Sequence, residues 1–124
     1  MAKPYPTVTP YLITLHAFEV IEFLKTAFNA TEIHLQKRDD GTVAHASLHI
    51  EESMVMLSES TADYPPMPCM IYLYMDDCDE CYNKAIAAGG TSLREPTNEA
   101  YGDRSSGVKD KGGNQWWIAG PLKN

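Results

Sequence analysis

Apolar residues along this chain fall into two patterns, alternation and helical spacing, and their order predicts the elements. Thr7 to Thr14 (TVTPYLIT) is apolar and β-prone, with Pro10 marking an edge or a bulge. Ala17 to Phe28 then sets Ala17, Val20/Ile21, Leu24 and Phe28 at helical spacing, and Asn29 stands where a left-handed cap ends a helix. Thr31 to Gln36 is a strand, Asp39-Asp40-Gly41 a turn, and Val43 to Ile50 alternates cleanly. Glu51-Glu52 turns the chain again and Ser53 to Ser58 forms the next strand. The order is βαβββ.

Pro65, Pro66 and Pro68 mark a linker, after which the order recurs. Cys69–Met75 is a strand, Cys78–Ala88 a helix stopped by Gly89-Gly90, and Thr91–Leu93 a short strand followed by a long loop. Arg104–Lys109, the turn Asp110-Lys111-Gly112-Gly113 and Asn114–Ala119 then form a hairpin. The halves keep one register: Tyr11-Leu12 falls on Tyr72-Leu73, Asn29 on Gly90, Glu51-Glu52 on Gly112-Gly113, and Met56 on Trp117. An internal duplication follows, one domain over residues 1–124 made of two βαβββ modules at about 5–60 and 68–122.

One helix covers only one face of each sheet, so strand parity sorts the residues. Leu12, Ala46, Leu48, Ile50, Val55, Leu57, Ile71, Leu73, Trp116 and Ile118 suit the helix side. The opposite face carries Thr9, Tyr11, Ile13, His45, Ser47, His49, Met56, Ser58, Met70, Tyr72, Tyr74 and Trp117. That face is aromatic, sulfur-bearing and hydroxylated, and two such sheets curled together would enclose a pocket for a small molecule of mixed polarity.

Composition narrows the partners. At 124 residues the chain suits one compact domain, and its formal charge of -7 argues against nucleic acid and mildly favours cationic ligands. No leader-like apolar run and no segment of membrane-spanning length is present, so a cytoplasmic protein without membrane or nucleic-acid partners is expected. Cys69, Cys78 and Cys81 are an odd set that does not suggest a disulfide framework, and Cys78 and Cys81, three apart on a helix, read as small core residues.

A doubled βαβββ unit carrying TPYL (Thr9–Leu12), IEFLKTAFNA (Ile21–Ala30), HASLHI (His45–Ile50), YGDRSSGVKD (Tyr101–Asp110) and GNQWWIA (Gly113–Ala119) resembles the vicinal oxygen chelate superfamily. This family comprises glyoxalase I, bleomycin-resistance proteins and extradiol dioxygenases. The likeness is greatest to its glyoxalase-like subgroup that carries phosphonate-metabolism or demethylubiquinone-methyltransferase names. The resemblance implies an α+β fold: a cupped eight-stranded mixed sheet with helices on its outer face, and usually a homodimer. It departs at Asp110-Lys111-Gly112-Gly113-Asn114, where the subgroup has Asp-Pro-Phe-Gly followed by His or Asn, and at Asn29 in place of Gly.

Metal enzymes of the superfamily place His, Gln or Glu on the first and last strand of each module. Matching strings put Thr9, Met56, Met70 and Trp117 there, none a usual ligand for a hard or borderline ion, so no metal and no cofactor is expected. His45 and His49 share the cleft face but stand ~13 Å apart along one strand, too far to hold one ion by bonds of ~2 Å. His34 lies on another strand and His16 near the first helix.

Two functions compete. One is a binding protein that sequesters an aromatic or cationic compound in a dimeric cleft, through Thr9, Tyr11, His45, Met56, Met70, Tyr72, Tyr74, Tyr101, Arg104 and Trp117. The same aromatics suit packing at a dimer interface. The other is a lyase or isomerase of glyoxalase type, with His45 as base and Arg104 holding an anionic group. Arg104 could equally pair with Asp103 or another surface carboxylate.

Overall fold

The computed structural model describes residues 3–122. Two helices and eight strands run in the order β1 (Tyr11–Thr14), α1 (Ala17–Phe28), β2 (Thr31–Lys37), β3 (Val43–Ile50), β4 (Ser53–Glu59), β5 (Met70–Tyr74), α2 (Cys78–Ala87), β6 (Thr91–Asn98), β7 (Asp103–Lys109) and β8 (Gln115–Pro121). The strands form two four-stranded sheets, β1-β4-β3-β2 and β5-β8-β7-β6, each with its first and last strand parallel. Each βαβββ unit thus makes its own mixed sheet, and the eight strands are not one continuous hydrogen-bonded sheet within the chain.

Local signals explain most boundaries. α1 ends where the spacing predicts, because Asn29 takes the left-handed conformation (φ 56°). Its start lacks a side-chain cap from His16. Glu59, at the end of β4, supplies one by accepting from the Ala17 N–H at 2.9 Å. α2 is capped by Asp77, whose carboxylate accepts from the Glu80 N–H. Two boundaries differ from expectation by more than two residues. β1 begins at Tyr11 because Pro10 has no N–H to give, although its carbonyl still accepts from Met56. The segment expected to be a long loop after Leu93 instead continues β6 to Asn98, and Pro96 is tolerated because β6 is an edge strand.

The helices sit between the sheets. α1 and α2 pack on one another, and one core joins Leu12, Leu48 and Leu57 of the first sheet to Val108, Trp116 and Ile118 of the second. Trp116 is fully buried, its ring 5.6 Å from Phe28 and 6.4 Å from Phe23. The hairpin turn ties the units further. Buried Asp110 accepts from the Gly112 and Asn114 N–H groups, from Asn114 Nδ2 and from Trp116 Nε1, and Asn114 also accepts from the Cys69 N–H and donates to Thr14 Oγ1. With the helix-facing sides turned inward, the opposite faces of both sheets turn outward.

Candidate functional site

Parity places the residues as the alternation predicts. Trp116 goes to the core and Trp117 to the outward face, half-buried. On the second sheet Trp117 stands beside Tyr72 of β5 and Gly107 of β7 in register. A Cβ at Gly107 would meet three indole atoms at 2.7–2.9 Å, so only glycine leaves the ring its place against the strand. Trp117 Nε1 donates to Gln115 Oε1 at 3.0 Å.

Around that indole lies a shallow cavity of about 250 Å³ lined by Met70, Tyr72, Tyr101 and Trp117 together with the ion pair Arg94–Glu99 (2.7 Å). Met70, Tyr72, Tyr74 and Tyr101 are 69, 58, 57 and 67% exposed. The Tyr72 phenol is held above its usual range, by desolvation first and then by neighbouring Tyr101 and Asp103. Arg94, Glu99 and Ser105 line the cavity and were not foreseen, since the segment carrying the first two reads as a loop in sequence.

The outward face of the first sheet is more polar. His45 Nδ1 lies 3.2 Å from the Tyr11 hydroxyl and its Nε2 3.3 Å from Ser47 Oγ, the hydrogen-bonded histidine the alternation suggests. Met56 is half-buried opposite Tyr11, and Thr9 half-buried just ahead of β1. His34, assigned in sequence only to another strand, comes beside His45 with ring centroids 5.7 Å apart. His49 is exposed and lines a different, larger groove of about 730 Å³ between the units, together with Phe28, Glu51, Met75, Asp76 and Cys81. That groove contains none of the outward-facing aromatics, so its size does not make it the aromatic site.

Arg104 is not brought to either outward face. It lies on the helix side of β7, where Nε and Nη2 donate to both carboxylate oxygens of Asp79 at 2.6 and 3.0 Å, and the carboxylate holds the guanidinium above its usual range. Of the alternatives open in sequence, pairing with a carboxylate is the one adopted, with Asp79 rather than Asp103.

Nor do Thr9, Met56, Met70 and Trp117, the positions to which the resemblance would carry a metal, suit a hard or borderline ion. Thr9 offers a hydroxyl and Met56 and Met70 thioethers, while Trp117 has no lone pair to give and its Nε1–H is engaged by Gln115. Cys78 and Cys81 are held in the thiol form: burial, then the Glu80 charge, pushes Cys81 up to about 11, and burial raises Cys78, which donates to the Ile118 carbonyl. Among the described residues no helix is long and apolar enough to cross a membrane.

Comparison with known proteins gives consistent results. The family model described as Glyoxalase/Bleomycin resistance protein/Dioxygenase superfamily matches residues 9–118. An uncharacterized protein of Mycobacterium bovis is 30% identical, the match covering 95% of this chain and 85% of that one. TioX from Micromonospora sp. ML1 superposes with a TM-score of 0.79 at 20% identity over 94% of this chain and 99% of that chain. Protein PA1353 from Pseudomonas aeruginosa gives 0.77 at 20% identity over 95% and 99%.

Proposed function

This chain belongs to the glyoxalase/bleomycin resistance protein/dioxygenase superfamily, and from that premise we propose that it is a small-molecule-binding protein that sequesters an aromatic or cationic compound. The observation that carries this reading is the exposed set of Met70, Tyr72 and Tyr101 around the half-buried Trp117 indole, with Tyr74 further along β5. Flat π-faces and thioethers gain from stacking on an aromatic ring, and ring faces attract a cation. The acidic chain, at -7, adds long-range attraction for a positive ligand.

A cavity of about 250 Å³ is small for a drug-sized ligand. In this reading a second copy completes it: the outward face of the first sheet, with Tyr11, His45 and Met56, closes over the outward face of the second sheet of its partner. The protein is then a cytoplasmic homodimer with two clefts. The competing reading, a glyoxalase-type lyase or isomerase, needs a base and an electrophile. His45 could serve as base, but Arg104 is committed to Asp79 on the far side of its sheet, and the metal positions carry no suitable donors.

A thermal-shift screen with flat aromatics and cationic glycopeptides tests the reading. A ligand at 100 times its Kd adds ~2.7 kcal/mol to stability. A shift in the parent that Tyr72→Ala removes supports the site. Turnover of methylglyoxal with glutathione overturns it.

A further inference from the structure

We propose that His34 and His45 form a two-nitrogen site for a borderline divalent transition-metal ion, Cu(II) foremost, on the outward face of the first sheet. β2 and β3 pair antiparallel with Gln36 opposite His45 and His34 opposite Ser47, and the register shift at Glu32/His34 sets the two histidines diagonally across the strands. Their ring centroids are 5.7 Å apart, inclined by 46°. Two imidazoles sharing one ion through bonds of ~2.0–2.1 Å place their centroids about 4.5–6.4 Å apart, depending on the angle at the ion, and the observed separation lies within that range.

The surroundings of His45 fit that role. The Tyr11 hydroxyl is 3.2 Å from Nδ1. With Nδ1–H donating to the phenol oxygen, Nε2 keeps its lone pair, and this is how a hydrogen bond at the far nitrogen orients a ligating imidazole. Ser47 Oγ, 3.3 Å from Nε2, is the weak partner the ion displaces. His34 is exposed, with its ring against that of His45. Imidazole suits copper, nickel and zinc, and copper stands highest in the divalent series.

Among the described residues no third His, Cys, Asp or Glu joins the pair. Two protein ligands leave the other positions to water or to a donor atom of a bound molecule. The site uses none of Thr9, Met56, Met70 and Trp117, but it shares Tyr11 and His45 with the face assigned above to the small-molecule cleft, and titration with the ion alone reads it separately from any organic ligand.

The test is titration of the tag-free, metal-free chain with Cu(II) alone, followed by calorimetry and electron paramagnetic resonance. One ion per chain with coupling to two nitrogens is expected. His34→Ala and His45→Ala should each weaken binding at least ten-fold, because one imidazole alone loses the chelate, and the double variant should show no stoichiometric binding. His16→Ala and His49→Ala should bind as the parent does. No stoichiometric binding, full affinity in His34→Ala, or affinity that follows His16 or His49 overturns the proposal.

Discussion

The Trp117 indole rests on the Cα of Gly107, the residue opposite it on the neighbouring strand, so closely that any side chain there would enter the ring. This contact fixes where the aromatic floor of the outward face lies. Gly107→Ala forces the indole or the strand to move, an overpacking change that costs about 1–3 kcal/mol. Thermal unfolding and a shift in tryptophan emission report it, and ligand affinity should fall with it. An unchanged emission maximum would mean that the glycine is not what holds the ring.

Asp110 is 5% exposed and accepts from two backbone N–H groups, an amide side chain and the Trp116 indole. Asp110→Ala strands these buried donors, and the expected loss is about 3 kcal/mol, measured as a lower urea midpoint with unchanged slope.

The Cys81 thiol, raised from 9.0 to about 11, gives the fold a pH dependence of known sign. The folded chain favours the neutral form. The contribution is therefore whole below about pH 9 and is lost as pH climbs toward about 11. Unfolding followed at pH 8, 9.5 and 11 should show falling stability that Cys81→Ala reduces. Alkylation of Cys81 in the folded chain should be slow at pH 8 and become rapid in urea.

Arg104 and Asp79 form a bidentate pair between β7 and α2. Arg104→Ala should lower the melting temperature and leave ligand affinity at the aromatic face unchanged. Loss of affinity without loss of stability would return Arg104 to the binding site.

Elements that depend on local chemistry were legible in the sequence. The span of α1, its left-handed Asn29 stop, the clean alternation of Val43–Ile50 and the split of Trp116 from Trp117 all follow from spacing and parity. What was not legible depends on pairings far apart in the chain. That α1 and α2 pack together between the sheets is decided by Phe23 and Phe28 meeting Trp116 across the two units. The Asp79–Arg104 pair joins residues on a helix and a strand whose distance no periodicity encodes. His34 reaches His45 only through an irregular register, which alternation along a single strand does not reveal. Arg94 and Glu99 reach the cavity because β6 runs on through Pro96, where the proline suggested a loop.

The central claim is that the outward aromatic face is a ligand floor, and fluorescence titration of the folded protein tests it most directly. The compound that gives the largest thermal shift is added to the parent and to Tyr72→Ala, with Trp117 as the reporter. The account predicts saturable quenching in the parent, at least ten-fold weaker binding in the variant, and equal melting of the two ligand-free proteins. Saturation at the same concentration in both would contradict it.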